Sequence, residues 1–149
     1  MNYTDNDKKF VAVLNRRHQL SRIFNAVCHA TAGLSAKIGS DAAHYLDYGN
    51  DADSFVASIS RYPFIILEAK SSSQLAALQK SAVAARISSN LFVSAMIGRS
   101  AEEQIAQTKA ATDDALDYVV VVLFGDAKSL NPLTKKFSLY KGPAFAEVQ

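Results

Sequence analysis

A single cysteine in 149 residues removes two classes of site at once. Cys28 has no partner in the chain, which excludes an internal disulfide and a cysteine-rich zinc site, and a reducing, cytoplasmic compartment is the expectation. Glycine is missing where nucleotide chemistry needs it. The segment "LNRRHQLSR", residues 14 to 22, contains none, so the backbone there cannot approach a pyrophosphate as a dinucleotide fingerprint requires. No glycine-lysine pair opens a helix, and no serine sits in a G-x-S-x-G elbow. His18, His29 and His44 lack the H-E-x-x-H spacing of zinc proteases. The longest apolar run, "YVVVVLF" (118 to 124), is far below the ~20 residues of a membrane helix. A net charge of +2 is too small to argue for nucleic acid without clustering. The start "MNYTDNDKKF" is polar, unlike a secretory leader with a basic beginning and an apolar middle. No cofactor signature remains, and none is expected.

What is present has the size and composition of one globular domain, residues 1–149, able to bury roughly 70% of its unfolded surface. Residues 1–7 and 142–149 read as tails. "KKFVAVL", ending at Leu14, is a buried strand, followed by a helix on which Leu20, Ile23, Phe24, Val27, Thr31, Leu34 and Ile38 recur at spacings of three and four. Gly39 stands at a C-cap position. Cys28 borders this apolar arc and reads as a buried thiol. Residues 40 to 62 suit short strands around a turn at Tyr48 to Asp51. Asp47, Asp51 and Asp53 there fail the calcium-loop pattern, because no glutamate closes the run.

After Pro63, "FIILEA" is another apolar strand. Ser71 with Gln74 forms a capping box before a helix that places Leu75, Leu78, Ala82 and Ala85 on one face. "LFVSAMI" is a strand ended by Gly98, and Ser100 with Glu103 caps a short polar helix. "DYVVVVLF" has no polar face, and "KKFSLYK", beyond the interruptions at Pro132 and Thr134, suits a final edge strand. Strands apolar on both sides alternating with helices predict an α/β three-layer sandwich: a mixed, mostly parallel sheet with helices on both faces.

The first helix carries more than a core face. Asn25 and His29 lie within about 60° of Arg22 at 100° per residue, with small Ala26 and Gly33 beside them. The stripe begins at the carboxyl end of the first strand, where open α/β sheets bind ligands, and a helix start favours anions. Arg16, Arg17 and His18 add basic groups at that rim. Cys28 and His29 point about 100° apart, so they do not form a nucleophile–base pair. An Arg22 guanidinium suits bidentate binding of phosphate or carboxylate. The candidate ligand-binding set is Arg17, His18, Arg22, Asn25, His29, Gly98, Arg99 and Ser100, with no catalytic residue assigned.

These residues resemble the type-II peptidyl-tRNA hydrolases, over most of residues 8 to 141. That family has a first strand, a basic turn, a helix opening on glycine-lysine and, seven residues after the lysine, a histidine-alanine pair. Ser21-Arg22 stands at the first pair and His29-Ala30 matches the second. "MIGRS" occupies the place of its Asp-Ala-Gly-x-Thr segment, "VVVLFG" that of its late strand, and "LTKKFSLYK" that of its closing motif. "AVLNRRH", "NAVCHATAGL" and "YPFIILEA" are more similar still to an uncharacterised branch of this fold known only as a domain of unknown function. The resemblance implies the fold and a tendency to pair as a homodimer. It does not carry over the activity: the family's lysine is Arg22, its aspartate Met96, its threonine Ser100, and a glutamine three residues before the histidine is Ala26.

Three functions are then in view. One is a site for an anionic or phosphate-bearing ligand, with or without divergent hydrolysis, along Arg22, Asn25 and His29 and closed by Gly98 to Ser100. Another is RNA binding through Arg16, Arg17, Arg22 and Arg99 with Lys135, Lys136 and Lys141. The third is a homodimeric regulatory module.

Overall fold

The computed structural model describes residues 7–142. The two segments read as tails therefore fall outside the described residues, except for Asp7 and Gly142. In chain order the elements are β1 (Lys8–Asn15), α1 (Leu20–Ala43), β2 (Tyr45–Asn50), β3 (Phe55–Ser60), β4 (Phe64–Ala69), α2 (Ser72–Ala84), β5 (Ser88–Val93), α3 (Ala101–Ala110), β6 (Tyr118–Asp126), α4 (Ala127–Thr134) and β7 (Ser138–Leu139). Five strands form one sheet in the order β5-β6-β1-β4-β7, while β2 and β3 form a separate hairpin.

Only β1 and β4 run parallel; the other three pairings in the sheet are antiparallel. The expected mostly parallel sheet is thus corrected to a mostly antiparallel one. The apolar strands reported burial on both faces, which does not fix strand direction. Alternate residues of β1 show that burial: Phe10, Ala12 and Leu14 pack under α1, whereas Val11 and Val13 pack with Leu75 and Leu78 of α2 and Leu130 of α4. Antiparallel β6 is covered in the same two-sided way, and Val119 to Leu123 are fully buried.

The α1 helix begins where expected but seats differently. Its buried residues are Ile23, Ala26, Ala30 and Leu34, while Phe24 is 60% exposed. The core face is therefore rotated by roughly 70° from the apolar arc, at 100° per residue. Small side chains face the sheet because they let the helix lie close to it. Cys28, expected as a buried thiol, is exposed for the same reason. Gly39 (φ 82°) interrupts the helix, and one further turn ends at His44, whose left-handed backbone donates its N–H to the Ser40 carbonyl.

Elsewhere the strand "LFVSAMI" is displaced: β5 starts at Ser88, and Ser94–Met96 form a 3₁₀ turn. The hairpin turn falls after Asn50, whose side-chain oxygen accepts from the Asp53 N–H at 2.8 Å. Pro132 does not end an element but lies inside α4. Only Ser138 and Leu139 of the last segment pair, with β4.

Candidate functional site

Where β1 ends, Asn15 is 2% exposed and fully used. Its amide donates to the Tyr118 carbonyl at 2.9 Å, and its oxygen accepts from the Arg17 N–H at 3.1 Å. The chain then turns into α1. His18, with a side chain 10% exposed, places Nε2 3.0 Å from Asp117 Oδ2. That same oxygen accepts from Ser94 Oγ. The pair ties the entry of α1 to the segment before β6.

Further along α1, a cavity of about 810 Å³ opens between the helix, β5 and α3. Asn25, His29 and Ala30 form one wall. Asn90, Leu91 and Phe92 of β5 form the floor, Met96 to Gly98 one rim, and Gln104, Ile105, Thr108 and Lys109 of α3 the other. The His29 ring stacks on Phe92 with centroids 6.0 Å apart and planes inclined by 24°. Two polar groups on the rim are already engaged: Gln104 Nε2 donates to the Gly98 carbonyl at 3.0 Å, and Thr108 Oγ1 donates to the Gln104 carbonyl at 2.7 Å. Among the described residues nothing hydrogen-bonds the side chains of Asn25, His29 or Lys109. Among the described residues that line the cavity, Lys109 is the only charged one.

The small residues of α1 beside the stripe leave room for a close neighbour. That neighbour is the sheet. Asn90 Nδ2 donates to the Ala30 carbonyl at 2.9 Å, and a Cβ added at Gly33 would lie 2.6 Å from that nitrogen. Gly33→Ala therefore exchanges a helix-propensity gain of ~1 kcal/mol for a hydrogen bond of similar worth. Chemical denaturation is expected to show the single variant within about 0.5 kcal/mol of the parent, but stabilised by ~1 kcal/mol in an Asn90→Ala background. Additive effects would refute the contact.

A family model described as Protein of unknown function (DUF2000) matches residues 8–141, nearly the whole described chain. The chain belongs to this family. Among solved structures, this DUF2000 protein is similar to a protein of unknown function, Atu0240, from Agrobacterium tumefaciens strain C58. The identity is 18%, with 90% of this chain and 98% of that one covered and a TM-score of 0.75. At that identity the likeness concerns the fold. No curated protein matches the chain. The resemblance to peptidyl-tRNA hydrolases therefore rests on the sequence motifs alone.

Of the site residues expected from the DUF2000 sequence, Asn25, His29 and Gly98 share the large cavity. His18 faces a second one of about 410 Å³, together with Arg16, Leu20, Ile23, Glu68, Tyr140 and Gly142. Arg17, Arg22 and Arg99 are exposed and line neither cavity. Ser100 is occupied as the cap of α3, accepting from the Glu103 N–H at 3.2 Å, while Glu103 accepts from the Arg99 N–H. Reading along the chain missed Gln104, Thr108 and Lys109. Gln104 and Thr108 lie one turn apart on the same face, but Lys109 stands about 100° round from Thr108, and α3 buries no residue and so has no apolar stripe to orient any face.

Proposed function

We propose that this chain is a binding module for a small amphipathic anion, held in the cavity between α1, β5 and α3. The observation that carries the reading is the composition of that lining: Phe92, Met96, Ile97 and Ile105 offer an apolar bed, and among the described residues that line it Lys109 alone carries a charge. A volume of about 810 Å³ falls within the range of small-molecule sites. The apolar part of the ligand lies along Phe92 and Ile105, and its carboxylate or phosphate meets Lys109, His29 and Asn25. This moves the cation of the anion site from Arg22 to Lys109.

Binding, rather than hydrolysis, is the better fit. No serine, cysteine, aspartate or glutamate lines the cavity, and the Thr108 hydroxyl is donated to its own helix. Nothing in the geometry favours peptidyl-tRNA hydrolysis, because Arg22 lies outside the cavity and Met96 supplies only apolar surface to it.

Decanoate serves as the probe, with decanol as the neutral control. Decanoate is expected to perturb the NMR signals of Asn25, His29 and Lys109 saturably. Lys109→Gln should weaken its binding about tenfold or more, the worth of a charge-assisted hydrogen bond, and should leave decanol binding unchanged. Arg22→Ala should change neither. Perturbations that spare the cavity, or binding indifferent to Lys109→Gln, would remove the assignment.

A further inference from the structure

On its opposite flank, α1 leaves apolar surface that none of the described residues covers. The helix packs over β5 and β6, and Leu20 and Ile23 overlook β4 across the cavity that also contains Glu68. On β4, Phe64 and Ile66 pair with Phe10 and Ala12 and so share the sheet face beneath α1. They remain 41% and 37% exposed, and Phe24 on the overhanging helix flank 60%. The hairpin has the same property. Opposed residues of an antiparallel pair share a face, so the register puts Leu46, Tyr48 and Asn50 on one side with Ile59, Ala57 and Phe55. Tyr48, Phe55 and Ile59 are 47%, 50% and 52% exposed. A two-stranded hairpin with one apolar face is marginal in water on its own.

We propose that a second copy of this chain covers both surfaces, the hairpin of each protomer lying in the groove between α1 and β4 of the other. Charge selects the occupant. Residues 45–60 hold Asp47, Asp51 and Asp53 with no lysine or arginine, whereas residues 16–22 hold Arg17 and Arg22 beside Arg16, which is paired with Glu68 at 3.7 Å. The basic segment lies at the start of α1. The acidic hairpin is held at its end, where the Arg61 N–H donates to the His44 carbonyl and Ser60 Oγ to the Ala43 carbonyl. A two-fold axis across α1 brings the end of one helix to the start of its partner, and so satisfies both charge pairings at once.

The area is adequate. Phe24, Tyr48, Phe55, Ile59, Phe64 and Ile66 expose about half of roughly 200 Å² each. That is on the order of 600 Å² of apolar side chain, against ~800 Å² per partner in a standard interface. The large cavity lies on the other flank of α1, so the dimer and the anion site are independent of each other.

Sedimentation equilibrium of the full chain is the test. A dimer with a dissociation constant at or below about 1 µM is expected. Ile59→Glu and Phe24→Glu replace side chains exposed in the monomer, so each should keep the parent far-UV circular dichroism spectrum while weakening association at least ~100-fold. Asp51→Arg with Asp53→Arg should weaken it as well, and adding Arg17→Asp with Arg22→Asp should restore it. A monomer throughout the micromolar range overturns the proposal. So does a dimer indifferent to Ile59→Glu and Phe24→Glu, and so does dissociation by those variants without rescue by the exchanged charges, which would reject the antiparallel arrangement.

Discussion

Asn15→Ala should cost this protein about 3 kcal/mol, a fall of roughly 6–12 °C in melting temperature for a domain of this length. The substitution removes little volume. What it leaves behind is the Tyr118 carbonyl without its donor and the Arg17 N–H without its acceptor, both beside a residue 2% exposed. Both bonds are partly buried, so the orphaned groups regain little of their solvation, and they sit where β1, the turn into α1 and the start of β6 converge. Asn15→Asp separates the two bonds. A carboxylate still accepts from Arg17 but meets the Tyr118 carbonyl with negative charge, so that variant should gain stability as the pH falls and the introduced group is neutralised. Urea titrations at pH 7 and pH 4 check both. An Asn15→Ala protein within about 1 kcal/mol of the parent would mean that water replaces the amide, since a bridging water is nearly as good as a direct bond.

Phe92→Ala is expected to be larger still, about 3–5 kcal/mol, on the order of 10 °C or more in melting temperature. Phe92 is 7% exposed and belongs to the core under α1, yet one of its faces is the floor on which His29 stacks. The variant should lose decanoate binding along with stability, and taken alone would not separate the two roles. Ile105→Ala does. Its side chain is 69% exposed, so truncation should change stability by no more than ~0.5 kcal/mol while still weakening decanoate. Equal affinity in the Ile105→Ala protein would place the apolar part of the ligand elsewhere.

Much of the fold was legible because burial writes itself into composition. Val119 to Leu123 announce a central strand with no wet side, and the capping pairs Ser71–Gln74 and Ser100–Glu103 mark two helix starts to within a residue. Strand direction was not legible, since helices on both faces make an antiparallel β6 as apolar as a parallel one. The seating of α1 was misread because the eye follows large side chains. Contact with the sheet selected Ala26 and Ala30, and Phe24 was left outside. Pro132 looked like a terminator, but α4 accommodates it past its first turn. Asn25 and His29 were found because they fall on one line, Gly98 because it follows a strand. Lys109 could not be, because only the packed position of α3 brings it into the same cavity.

The pairing of β1 with β6 joins Lys8 to Asp126 and Leu14 to Val120, more than a hundred residues apart in the chain. During synthesis, β1 and α1 emerge long before β6, the strand that closes their sheet, and contacts so distant in sequence are slow to form. The nascent amino-terminal half must keep Val11, Val13 and Leu34 from sticking to other chains until residue 126 has cleared the ribosome. Truncations that end before β6 should accordingly aggregate, rather than fold as smaller domains.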